Sequence, residues 1–171
     1  MPDGGGEHMQ FTPGIETARE FREALGRYAT GVTVVTCNSS LGHLGITANS
    51  FSSVSLDPPL VLWSPARASK RFSAFEQADH FSIHVLAKDQ REIGNGFART
   101  ADAFDHGDWL ESDDGVPVLE DCLARFDCQR HAIHDGGDHA IIVGRVLNAM
   151  ARQGDPLVFA KGSYGGFVDQ E

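Results

Sequence analysis

The chain has 171 residues, of which 41% are hydrophobic and 22% are charged, a composition typical of one globular domain. Its formal net charge is −10, and its lysines and arginines form no stripe, which argues against nucleic acid and anionic membrane surfaces as partners. No apolar run reaches the roughly 20 residues of a membrane span, and residues 1–6 lack the basic and apolar regions of a signal peptide.

The first elements follow a tail. Residues 1–14 are rich in glycine and polar residues, so we expect disorder there, followed by a single domain over 15–171. Thr17 and Glu20 fit a capping box, and apolar residues at helical spacing predict a helix that Gly31 ends. Strands are predicted over 32–37 and 44–48, separated by turn residues.

The middle of the chain alternates strands and short helices. Asp57, Pro58 and Pro59 predict a break, because proline cannot donate to a sheet ladder. The pattern then predicts a strand over 60–63, a helix over 69–78, a strand over 81–86 and a helix over 89–99.

The last third of the sequence is predicted to form a loop and then long strands. Residues 100–121 are acidic and irregular and predict a solvated loop. Further strands are predicted within 119–130, over 139–150 after a hairpin turn, and over 156–164. Six or seven strands with a few short helices indicate an antiparallel barrel with helices at its ends.

The cysteines and histidines predict neither disulfides nor a metal. Cys37, Cys122 and Cys128 are an odd number without close pairs, so we expect buried free thiols in a cytoplasmic protein. The histidines do not converge at the spacing of metal ligands, and we expect no metal.

A segment of small polar residues begins at the end of the second predicted strand. It runs Thr47-Ala48-Asn49-Ser50, with Ser53 and Ser55 shortly after. Short side chains and exposed backbone make a poor core but a good lining for a flat polar ligand. Taken alone, the segment is also consistent with an ordinary strand end rich in serine and threonine.

Two further features are candidate ligand-binding sites. The residues Ser69-Lys70-Arg71 stand at a predicted helix start, where free N–H groups and two cations favour the binding of an anion. A plain helix cap with solvated basic residues gives the same pattern. His139 follows a tight turn and is placed at a sheet rim, where its imidazole can bind a substrate. An exposed hairpin histidine is the alternative.

Taken in order, these segments resemble the flavin reductase-like family over about residues 19–167. The resemblance is carried by residues 21–36, 47–60, 81–90 and 136–139. It implies an FMN-binding split β-barrel of antiparallel, Greek-key type with short flanking helices. It also implies a homodimer, with FMN or FAD near the subunit interface.

The resemblance also implies site residues. Thr47, Ala48, Asn49 and Ser50 would border the isoalloxazine ring, and Ser53 and Ser55 would lie along the ribityl chain. The segment with Ala66, Ser69, Lys70 and Arg71 would lie by the phosphate. His139 would lie on the nicotinamide side, and Tyr164 would reach the flavin of a partner subunit.

The implied reaction is hydride transfer from NADH or NADPH to FMN or FAD, supplying reduced flavin to a separate oxygenase. The absence of a dinucleotide-binding glycine motif and of a P-loop is consistent with a nicotinamide that lies over the flavin in an open cleft. We expect backbone N–H groups of residues 47–50 to hold the developing charge. A flavin-binding electron carrier without NAD(P)H oxidation is the alternative, and an interaction module without cofactor is a third class.

Overall fold

The computed structural model describes residues 9–168. Its α-helices are α1 (Ala18–Leu25), α2 (Phe72–Gln77) and α3 (Arg91–Arg99), the last preceded by a 3₁₀ turn at Lys88–Gln90. Its first six strands are β1 (Thr30–Gly31), β2 (Thr33–Ser39), β3 (Gly42–Ala48), β4 (Ser52–Leu56), β5 (Pro59–Trp63) and β6 (His80–Val85). The others are β7 (Trp109–Glu111), β8 (Pro117–Leu119), β9 (Ala124–Gly136), β10 (His139–Ala151), β11 (Leu157–Ala160) and β12 (Ser163–Gly166).

Antiparallel pairing joins seven of these strands into one sheet, in the order β3-β2-β6-β9-β10-β5-β4. Smaller sheets combine β1, β11 and β12, and β7 with β8. The large sheet has two free edges, β3 and β4, so the barrel is not closed. The predicted mainly β, antiparallel architecture with short helices is confirmed in a split-barrel-like form.

Two buried clusters lie on opposite faces of β2, because side chains alternate along a strand. Val35 and Cys37 pack in one cluster, which includes α2 and the Trp63–Phe75 ring pair, whose centroids are 5.0 Å apart. Val34, on the other face, packs in the cluster that includes α3. The two helices therefore cover opposite faces of the sheet.

The first helix departs from its predicted limits. Thr17 precedes α1 as expected, but its hydroxyl donates to the carbonyl of Thr12 at 2.8 Å and makes no cap bond, so the predicted capping box is wrong. The helix ends before Gly26, whose carbonyl accepts from the N–H of Lys161 at 2.8 Å. Gly31, predicted to end the helix, lies in β1.

Several strand limits also differ from prediction. The polar segment after Asn49 contains the strand β4, and Pro59 begins β5 instead of belonging to a break, a place that proline tolerates. The acidic region 100–121 holds the short strands β7 and β8. The last predicted strand is a hairpin of β11 and β12. Residues 1–8 of the predicted tail lie outside the described residues, and 9–14 contain no helix or strand.

The cysteines are buried and free, as predicted. Burial raises the pKa of the Cys37 and Cys128 thiols to about 12. Within residues 9–168, no helix is both long and apolar enough to cross a membrane.

Gly45 in β3 is a packing requirement. A Cβ built there would collide with the ring of Phe97, which is fully buried and packs edge-on against the rings of Phe104 and Trp109. We expect Gly45→Ala to lower the free energy of unfolding by about 1–3 kcal/mol, the usual cost of overpacking. Gly31→Ala is the control, because a Cβ at Gly31 meets nothing within 4 Å. Urea denaturation measures both, and equal stability of the two variants would contradict this packing.

His84 makes stability depend on pH. It is completely buried, with Nδ1 2.9 Å from the carbonyl of Val34, and burial lowers its pKa from 6.5 to about 4. Between pH 6.5 and about pH 4, His84 binds a proton in the unfolded chain but not in the folded chain. Stability should therefore fall as pH falls through this window, by about 1.4 kcal/mol per pH unit and about 3 kcal/mol in all.

Urea denaturation at several pH values, with His84→Asn alongside, checks this expectation. Asparagine retains a donor for the carbonyl of Val34 but does not titrate, so the variant should lack this part of the pH dependence. The same slope in both proteins would exclude His84 as its source.

Candidate functional site

A cavity of about 390 Å³ lies where β3 meets the turn before α2 and the β11–β12 hairpin. Its volume is within the range of small-molecule sites. Six of the predicted site residues line it: Thr47, Ala48, Asn49, Ser69, Arg71 and Tyr164. Residues far apart in the chain are therefore brought together at one place.

The outer edge of β3 supplies backbone donors to this cavity. β3 pairs only with β2, so every second residue directs its N–H and C=O away from the sheet. Gly45 is one of these residues, since its N–H donates to Ala101 at 2.9 Å and its carbonyl accepts from Arg71. By the same alternation, the N–H of Thr47 faces outward, where the cavity lies. Asn49 directly follows β3, and because Ala48 pairs with Thr33 of β2, the trans peptide after Ala48 directs the N–H of Asn49 away from β2.

Arg71 holds this edge to α3. One of its guanidinium nitrogens donates to the carbonyls of Gly45 and Phe97 at 2.9 and 2.6 Å. Burial lowers its pKa, but a guanidinium stays protonated at neutral pH. Arg71 therefore fixes the position of β3 and also places a positive charge at the cavity.

The predicted helix start at Ser69 is wrong. α2 begins at Phe72, because the chain first forms tight turns in which the N–H of Ser69 donates to Ala66 at 3.0 Å. The hydroxyl of Ser69 accepts from the N–H of Arg71 at 3.2 Å. The segment is thus a polar turn at the cavity rather than a helix N-terminus. Lys70 is exposed and does not line the cavity.

A second cavity, of about 790 Å³, adjoins the first and shares Asn49 and Phe159 with it. Ser50 lines this second cavity, but its hydroxyl already accepts from the N–H of Ser64 at 2.9 Å. Arg22 of α1 is also part of its wall. The two cavities together form one continuous depression beside β3.

Ser53 and Ser55 lie elsewhere. Both are on β4, which pairs only with β5 at the opposite edge of the large sheet. Neither residue lines either of the two cavities beside β3. The strand pairing therefore separates them from Thr47, although they follow it closely in the sequence.

Ala66 and His139 are direct neighbours. They form an isolated antiparallel bridge, and the N–H of Arg67 donates to the carbonyl of Asp138 at 2.9 Å. Nδ1 of His139 lies 2.7 Å from the carboxylate of Asp138, and this hydrogen bond is the main reason why the pKa of Asp138 is lowered. The charge of Arg22 lowers that pKa further, so α1 lies within Coulombic range of the pair.

Comparison with known proteins places this arrangement in a family. Residues 25–167 match the family described as flavin reductase like domain. An FMN reductase (NADH), SmoA, from Agrobacterium fabrum is 57% identical over 164 residues, which cover 96% of this chain and 94% of the relative.

The chain belongs to the flavin reductase-like family.

Two other similar proteins add detail. The reductase component of the flavin-dependent trigonelline monooxygenase of Acinetobacter baylyi is 42% identical over 91% of this chain, which spans only 51% of that protein. The structure of the Streptomyces globisporus NADH:FAD oxidoreductase SgcE6, in complex with NAD and FAD fragments, has 32% identity and a TM-score of 0.85. The match covers 93% of this chain and 98% of the SgcE6 chain. The predicted flavin reductase family is confirmed.

The residues of this flavin reductase-like chain fit a flavin. Outward N–H groups at Thr47 and Asn49 suit the polar edge of an isoalloxazine ring, and Arg71 suits a phosphate. Ile46 and Phe159 add the apolar surface on which a flat ring packs. The sequence did not predict that these two residues line the cavity. An apolar residue in a strand gives the same pattern whether it lines a cavity or lies in the core.

The double role of Arg71 gives a test of stability. Arg71→Met removes both bonds to the carbonyls of Gly45 and Phe97, and should lower the free energy of unfolding by about 2 kcal/mol. Lys70→Met is the matched control, because this exposed neighbour makes no side-chain hydrogen bond to the described residues, and its loss should cost less than about 0.5 kcal/mol. Similar losses in urea denaturation would show that Arg71 does not tie β3 to α3.

Proposed function

We propose that this chain is an NADH-dependent reductase of FMN that supplies reduced flavin to a separate oxygenase. The observation that carries the proposal is the open edge of β3, with the N–H groups of Thr47 and Asn49 at a cavity that Arg71 makes positive. The cofactor choice is supported by the Agrobacterium relative, which is named for FMN and NADH. FAD and NADPH are the other candidates, and the SgcE6 structure contains FAD and NAD fragments.

The flavin, when bound, supplies the hydride-accepting nitrogen of its ring. The backbone N–H groups of Thr47 and Asn49 would hold the ring and donate to the negative charge that arrives with the hydride. Ser69 and Arg71, which line the cavity, would form the phosphate side. The phosphate-side roles of Ala66 and Lys70 stay predictions, since neither residue lines the cavity. The ribityl-chain role of Ser53 and Ser55 stays a prediction, since these residues lie outside both cavities.

His139 and Asp138 are proposed to position the nicotinamide. The carboxylate of Asp138 accepts from Nδ1–H of the ring, which leaves Nε2 free to contact a ligand. His139 is half-buried and lies next to the turn that leads to Ser69 and Arg71. His139 is proposed to contact the nicotinamide because of this position. No acid–base step is assigned to it.

A homodimer is part of the proposal. Within α1, Phe21 and Leu25 are 43% and 59% exposed, and Tyr28 just beyond is 79% exposed. Phe21 and Leu25 share one side of α1 by helical spacing, and Tyr28 lies three residues beyond the end of the helix. A second copy that covers this side would bring a subunit interface next to the cavity that α1 helps to line. Light scattering in solution measures the oligomeric state.

The oxygenase partner and the compartment complete the proposal. The Acinetobacter relative is named as the reductase component of a monooxygenase, which supports a separate oxygenase for this chain. Three buried, unpaired cysteines are consistent with a cytoplasmic location.

Mixing the purified protein with each pair of NADH or NADPH and FMN or FAD tests the function. We expect flavin-dependent loss of the reduced-nicotinamide absorbance, fastest with NADH and FMN. Flavin binding without any nicotinamide oxidation would favour an electron carrier. A protein that binds neither flavin would contradict the whole assignment.

His139→Ala should separate the nicotinamide side from the flavin side. We expect NADH oxidation to slow by about tenfold or more, because a misplaced donor ring loses orientation. Flavin affinity, measured by fluorescence quenching, should change by less than about twofold. If flavin affinity falls while the rate at saturating flavin is retained, His139 belongs to the flavin site.

A further inference from the structure

A basic cavity of about 370 Å³ lies between α1 and the turn that joins β11 to β12. Four cations line it: Arg19, Arg22, Arg27 and Lys161. They are gathered here although the whole chain has a net charge of −10 and only 14 lysines and arginines. In α1, Arg19, Arg22 and Glu23 share one face by helical spacing, and Gly26 directly follows the helix.

Among the described residues, the lining of this cavity has four cations and one carboxylate, and Asp138 lies within Coulombic range of Arg22. Glu23 is the one carboxylate in the lining, and it is paired with Arg19 at 3.1 Å. Within residues 9–168, no carboxylate lies within 4 Å of the charged groups of Arg22, Arg27 or Lys161. A surplus of positive over negative charge in the lining favours the binding of an anion.

The backbone at Lys161 is also unusual for a lysine. Lys161 and Gly162 form the two-residue turn between β11 and β12, with φ of 53° and 76°. Asparagine or aspartate usually occupies the first of these positions, because the left-handed conformation is unfavourable for other side chains. The N–H of Lys161 donates to the carbonyl of Gly26 at 2.8 Å, which fixes the strained lysine against the end of α1. Strain of this kind is typical of binding sites.

The basic cavity continues the depression beside β3. Arg22, Gly26 and Gly162 line both this cavity and the larger one that contains Asn49 and Phe159. Asn49 and Phe159 in turn also line the candidate flavin cavity. A ligand held at Thr47 and Asn49 can therefore extend along one surface to the cations of α1.

We propose that this cavity binds the phosphates of the adenosine diphosphate half of a dinucleotide. The inference rests on the proposed function, since the other half of that ligand would be the flavin or nicotinamide at β3. Two sources share this chemistry, FAD and the nicotinamide dinucleotide. Guanidinium groups bind phosphate oxygens with paired, charge-assisted hydrogen bonds, and Lys161 adds a point charge.

ADP binding to the purified full-length protein, measured by calorimetry at two salt concentrations, tests the cavity without any turnover. We expect saturable binding that weakens at high salt. Lys161→Asn should weaken it about tenfold, because a charge-assisted contact to phosphate is lost. Asparagine suits the left-handed turn, so this variant should fold at least as stably as the parent. Arg145→Gln, at an exposed cation of β10, is the control and should bind ADP like the parent.

Steady-state kinetics then identify the source of the phosphates. A KM that rises in Lys161→Asn for FAD more than for FMN supports the flavin dinucleotide. A KM that rises for NADH with either flavin supports the nicotinamide dinucleotide. Absence of ADP binding to the parent at millimolar ADP, or equal affinity in the parent and Lys161→Asn, would overturn the proposal. Because ADP binding is measured without flavin, a protein that binds ADP but oxidises no NADH would contradict the proposed function and not this cavity.

Discussion

The free edge of β3 is the constraint on which the rest of this structure depends. An unpaired strand edge exposes peptide groups that would otherwise attract another chain. Here its first part is covered, since Gly45 bonds to Ala101 and to Arg71. Its last part, at Thr47 and Asn49, faces a cavity instead. The contacts that protect the edge therefore also decide where it stays open to a ligand.

Phe97 and Arg71 make that arrangement specific. The ring of Phe97 packs where Gly45 has no side chain, and its carbonyl accepts from the same guanidinium nitrogen as the carbonyl of Gly45. Helix α3, strand β3 and the turn before α2 are thus fixed as one unit. Such a prearranged set of donors suits hydride transfer between two cofactors, because it requires orientation and charge stabilisation and little chemistry from the protein.

Much of the fold could be predicted from local patterns, and the departures have long-range causes. The β-branched run of β2 and the small polar residues after β3 indicate a strand and a cavity wall without any tertiary knowledge. The end of α1 could not be predicted, since the carbonyl of Gly26, just after the helix, accepts from the N–H of Lys161 near the other end of the chain. Ser53 resembles Ser50 in the sequence, but pairing of β4 with β5 moves it to the other edge of the sheet.

An amide NMR titration with FMN tests the central claim most directly. Each backbone N–H gives a separate signal, so the experiment reports which peptide groups meet the ligand. We expect the largest shifts at Thr47 and Asn49, with smaller ones at Ile46 and Ala48, whose N–H groups pair with β2. Shifts confined to other surfaces, with Thr47 and Asn49 unchanged at saturating FMN, would show that the flavin does not bind at the edge of β3.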